Sequence, residues 1–90
     1  MDRREPALEK SELRGVSART LVIASDDDVI TLEHTLALYR GIANAELAVV
    51  PGTSHFLTQE KPDLFAAIVT DFIGGDPVIP IAPLRRAQRP

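Results

Sequence analysis

Two short stretches of this chain hold the residue types of proton-transfer chemistry. Asp26, Asp27 and Asp28 follow the apolar run Thr20-Leu21-Val22-Ile23-Ala24-Ser25, and His55 stands just beyond a second apolar run in Val50-Pro51-Gly52-Thr53-Ser54-His55-Phe56. A carboxylate that accepts the Nδ1 hydrogen of an imidazole fixes its tautomer. It also stabilises the imidazolium that forms when Nε2 takes a proton from a nucleophile. Taken separately, three aspartates describe a solvated turn and a lone histidine describes a surface residue. The chemistry requires both, brought together.

The elements that must do this are legible from period and punctuation. Thr20 to Ser25 is a continuous apolar run rich in β-branched residues and lacks polar alternation, the signature of a strand covered on both faces in a parallel sheet. Leu32, Leu36, Tyr39 and Ile42 recur at helical spacing, with Thr31 as N-cap and Gly41 where a helix stops. Asn44 turns the chain into Leu47-Ala48-Val49-Val50, a second strand that Pro51-Gly52 terminates. Strand, helix and strand make a right-handed βαβ unit with parallel strands. Pro62 suits the first turn of a last helix with an apolar stripe of Phe65, Ile68, Val69, Phe72 and Ile73, and Gly74-Gly75 stops it. In open parallel sheets reactive groups gather beyond the carboxyl ends of strands, where both turns fall.

In this combination the chain resembles the C-terminal part of the α/β-hydrolase family over residues 16–73. There a strand ending Gly-x-x-Asp carries the triad acid and the next strand ends in a Gly-x-x-His turn, acid before histidine. The resemblance implies an α/β fold, a partial hydrolase-like sheet built as a βαβα unit with flanking helices. It assigns Asp28 as the orienting acid and His55 as general base and then acid. Ser25 occupies the place of the family's glycine, three residues before Asp28, and Asp27 remains the alternative acid. The parent activity would be hydrolysis of an ester or related acyl bond, and the resemblance implies no cofactor.

The sequence contains no Gly-x-Ser-x-Gly. Ser54 adjoins His55 and cannot readily aim at it; Ser11 and Ser17 lack a strand-to-helix elbow, and Ser25 has no evident oxyanion donors. Two readings follow. The chain is the C-terminal portion of a serine hydrolase, inactive until a complementing half supplies the nucleophile. Alternatively it is a non-catalytic association module or gene remnant, self-associating through the exposed edge of a two-stranded sheet. His34 reads as a helix-surface residue. With no cysteine and no second histidine at ligand spacing, no metal site is expected.

Composition sets further bounds. A chain of 90 residues with 44% hydrophobic and 26% charged residues reads as one small folded domain. At this size folding buries roughly 60 to 65% of the unfolded surface, so stability should be marginal. The segments divide as a lead-in over 1–19 that is weakly ordered or one short helix, a hydrolase-like subdomain over 20–75, and a Pro/Arg-rich tail over 76–90. Net charge is −3, and between Thr20 and Leu84 only Arg40 and Lys61 are basic against nine acids, the opposite of a nucleic-acid footprint. The terminal arginines read as solubilising ends. No apolar run approaches bilayer length and the N-terminus lacks a signal-peptide core, so no membrane association and a cytoplasmic location are expected.

Overall fold

The computed structural model describes residues 10–85 of the chain. Its elements run α1 (Lys10–Arg14), β1 (Thr20–Ser25), α2 (Leu32–Gly41), β2 (Ala45–Val50), α3 (Leu57–Glu60) and α4 (Pro62–Gly74). This is a small α/β fold around a two-stranded parallel sheet. The strands pair in register from Thr20 opposite Ala45 to Ser25 opposite Val50, so both end at the same level. Their following turns therefore emerge side by side.

The crossover helix forms where its cap and stripe place it. Thr31 has extended backbone and its hydroxyl accepts the His34 amide at 3.2 Å, satisfying one orphan donor of the first turn. Glu33 at the start and Arg40 at the end complement the helix dipole. The second strand begins at Ala45, two residues before the apolar run does, because the Thr20 amide reaches Asn44 O at 2.9 Å and pulls the ladder back. Ala45 is fully buried there, which an isolated small residue ahead of Glu46 gives no reason to expect.

Leu13, Ile42 and Ala45 form the buried core, with Val16, Val22, Leu38 and Tyr39 packed against it. Leu13 comes from α1, so the short lead-in helix is part of this core. Residues 1–9 of the lead-in lie outside the described residues. Gly41 makes the close approach possible, since a Cβ there would stand 2.7 Å from Leu13 Cδ1.

The α4 helix is less well covered. Pro62 occupies its first turn, consistent with a position whose N–H would be unpaired anyway. Phe65, Ile68, Val69 and Phe72 are half-buried, but Ile73, counted in the same stripe by its spacing, is 75% exposed. A sheet of two strands is too narrow to cover the whole stripe. Arg19 fastens the helix end: it donates to Phe72 O at 2.7 Å, lies 4.1 Å over the Phe72 ring and pairs with Glu46 at 2.9 Å.

Beyond α4 the chain forms no helix or strand through residue 85. It returns to the body at Arg85, whose guanidinium donates to Tyr39 O at 2.6 Å and Ile42 O at 2.7 Å and stacks 4.1 Å over the Tyr39 ring. This arginine is an anchor that caps the carbonyls at the end of α2, not the free solubilising charge that its place in a basic tail implies. Among the described residues no helix is long and apolar enough to cross a membrane.

Candidate functional site

The turn after β1 and the turn after β2 meet. His55 Nδ1 lies 3.2 Å from Asp28 Oδ1, within hydrogen-bonding range. An ionised carboxylate only accepts, so Nδ1 carries the hydrogen and Nε2 is left with its lone pair when the ring is neutral. Among the described residues no group bonds to Nε2, and the imidazole is 59% exposed while the Asp28 side chain is only 12% exposed. The acid is thus held in the protein and the base is presented outward.

Asp28 is fixed by three donors. Its Oδ1 accepts the Ile30 amide at 3.2 Å as well as the imidazole, and Oδ2 accepts the Ser25 hydroxyl at 3.0 Å. Burial pushes this carboxyl up, but the Ile30 amide, the Ser25 hydroxyl and His55 outweigh it and hold Asp28 below its ordinary value. Ser25, which spacing alone marks as a departure from a family glycine, is 1% exposed and supplies one of these bonds.

The other acids of the cluster have different work. Asp26 accepts the Gly52 amide at 3.0 Å and the Thr53 amide at 3.1 Å, and those two bonds hold its carboxyl below the usual range. Asp27, the alternative triad acid, makes no side-chain contact with His55; its amide donates to Thr53 O at 3.1 Å. Glu60 accepts the Ser54 amide and the Ser54 hydroxyl, each at 2.7 Å, and is likewise held low by them. Gly52 opens the turn with φ of 70°, a conformation that favours glycine. Lys61 closes the loop by donating to Pro51 O at 2.7 Å.

The result is a histidine turn fastened at consecutive positions by carboxylates from elsewhere. Asp26 takes residues 52 and 53, Glu60 takes residue 54, and Asp28 takes residue 55. Spacing alone does not reveal the roles of Asp26 and Glu60. The available signal is the Pro-Gly turn itself, which leaves the amides of residues 52–54 outside any ladder and in need of acceptors.

No described serine is placed to attack through this pair. Ser54 Oγ is bonded to Glu60, Ser25 Oγ to Asp28, and Ser17 is exposed on the segment before β1; the Ser11 side chain lies outside the described residues. His34 sits exposed on α2, away from the pair in sequence and in bonding. Among the described residues no group of three His, Cys, Asp or Glu side chains is arranged to hold a metal ion. The arrangement can therefore orient an imidazole and accept a proton at Nε2. No protein-family model matches the chain, and comparison with curated proteins finds no match, so the functional reading rests on this geometry.

Proposed function

We propose that Asp28 and His55 are the acid and base of a serine-hydrolase constellation, carried on the C-terminal part of an α/β-hydrolase-like sheet and completed by another segment. The observation that carries the reading is the 3.2 Å contact between His55 Nδ1 and Asp28 at the ends of adjacent parallel strands, with Nε2 open. In this reading Nε2 takes the proton of an incoming hydroxyl as it attacks the acyl carbon. The imidazolium, stabilised by Asp28, then returns that proton to the leaving group. The nucleophile and the oxyanion donors come from the completing segment. Val29 and Ile30, which follow Asp28, are 86% and 48% exposed, and Phe56, which follows His55, is 57% exposed. An apolar rim of this kind suits an acyl substrate with a hydrocarbon chain.

The test is reconstitution. The chain is mixed with an α/β-hydrolase truncated before its acid-bearing strand, and p-nitrophenyl ester cleavage is followed. Turnover that disappears with His55→Ala supports the proposal; no turnover, or turnover indifferent to that substitution, defeats it.

A second reading, a non-catalytic association module or remnant of a hydrolase, is favoured by the incomplete cover of the sheet and last helix. Among the described elements no third strand joins β1 or β2, and no residue of α4 is fully buried. It predicts self-association or binding to a larger sheet, and a monodisperse, cooperatively folding monomer in sedimentation counts against it.

A further inference from the structure

We propose that residues 77–84 are a docking segment read in the polyproline II conformation by an aromatic-lined groove on a partner protein. Pro77, Pro80 and Pro83 recur at every third position. A polyproline II helix has three residues per turn, so in that conformation the prolines line up along one edge. Val78, Ile81 and Leu84 form the second edge, and Ile79 with Ala82 lies on the third. The pattern is independent of the Asp28–His55 pair and does not rest on the hydrolase reading.

The segment is already displayed. Val78, Ile79, Ile81 and Leu84 are 85, 88, 103 and 83% exposed. A solvated tail has no need of four large aliphatic side chains within seven positions, and a concentration of this kind marks an interaction site. Residues 76–80 are neither helical nor paired, and Gly75 before them is extended at φ −95°, ψ 155°. Next to the segment lies a cavity of about 610 Å³, lined by Tyr39 and Leu47 of the body together with Val78 and Pro80. The chain bends at residues 81, 82 and 84, and the aliphatic side chains of the segment stay exposed beside this cavity.

The prolines select the mode of recognition. They lack an N–H, so the segment cannot supply a regular ladder to a sheet edge, and strand addition is disfavoured. Ridges of proline and aliphatic side chains seated between aromatic rings need no such ladder. Both ends are also tethered. Gly75 N bonds to Asp71 O at 3.2 Å, and Arg85 is held on the carbonyls of Tyr39 and Ile42. A segment restrained at both ends loses less freedom on docking than a free tail of the same composition. Arg85 stays on α2, and the partner reads the ridges.

The experiment uses the full chain, labelled with ¹³C and ¹⁵N, titrated in turn with a purified SH3 domain and a purified WW domain as probes. Binding by at least one probe with resonance shifts confined to residues 77–84 is expected, and Pro80→Ala with Pro83→Ala should weaken it at least about tenfold. Pro80 is exposed and Pro83 half-buried, and unchanged Asp28 and His55 resonances verify that the fold is intact. Three results overturn the proposal: no shift in the segment at millimolar concentration of either probe, shifts centred on the sheet or α4 instead, or undiminished binding by the double variant. Tail resonances that move with protein concentration alone also overturn it, since they identify a second copy of this chain as the occupant.

Discussion

The hydroxyl of Ser25 donates to Asp28 Oδ2 at 3.0 Å from a residue that is 1% exposed, so the last residue of β1 holds the carboxylate that holds the imidazole. Ser25→Ala removes the donor and keeps nearly the same volume. The Asp28 carboxyl should then titrate at a higher pH, read by ¹³C NMR of its side chain, while Asp26 is unmoved. An unchanged Asp28 titration would show that the hydroxyl contributes nothing to its charge.

Asp28→Asn should change the imidazole more than the fold. The carboxylate accepts only, which forces the hydrogen of neutral His55 onto Nδ1, whereas an amide can present either an oxygen or an NH₂ group. Long-range ¹⁵N–¹H spectra should show Nδ1-protonated ring in the parent and a mixture of tautomers in the variant. In a reconstituted hydrolase the same substitution should lower kcat by as much as ~10⁴-fold, the cost of a wrong tautomer in a triad.

Acid should weaken the site side of the molecule first. Asp26, Asp28 and Glu60 all lie below their ordinary values of 3.8, 3.8 and 4.5. A carboxyl with a depressed folded-state pKa binds fewer protons folded than unfolded. Its contribution is present above the unfolded value and is lost as pH falls through the folded one. Urea midpoints should therefore be flat from neutral pH to about pH 5 and fall below about pH 4. Asp26→Asn should give a shallower fall and a lower midpoint at neutral pH.

Gly41→Ala tests the close approach of α2 to α1. The added methyl would stand 2.7 Å from Leu13 Cδ1, and Leu13 is a buried core residue. Overpacking of this kind costs about 1–3 kcal/mol, which outweighs the gain in helix propensity from alanine. Equilibrium urea denaturation reads the difference directly, and a stabilised variant would contradict the packing.

Arg85→Ala should loosen the end of α2 by about 1 kcal/mol, because the carbonyls of Tyr39 and Ile42 lose a charged donor. Arg85→Lys should recover only part of this, since an ammonium lacks the planar fork that reaches both carbonyls while lying over the Tyr39 ring. Hydrogen exchange at residues 39–45 is the measurement.

Much of the frame was legible because it depends on short-range rules. The apolar run at 20–25, the Thr31 cap and the Pro62 start each declare themselves within a few residues, and each has the bounds in the structure that the spacing predicts. The pairing of Asp28 with His55 was legible for a related reason, since two parallel strands of equal length must deliver their turns to one place. The α3 helix was not, because four residues without a side-chain cap leave no periodic trace. Nor were the partners of Asp26 and Arg85. Bonds that span 26 residues, or 46, depend on how loops meet in space, and nothing in local spacing encodes them.

The turn that presents the imidazole borrows its shape from acids rooted in other segments, so the scaffolding and the chemistry can be lost independently. A lineage that drifts at Asp26 or Glu60 would keep every residue of the acid–base signature while the ring swings out of aim. Such a descendant would pass any inspection that weighs motif letters alone, and yet be a poor proton acceptor; its defect would be visible in the mobility of the three backbone amides of residues 52–54.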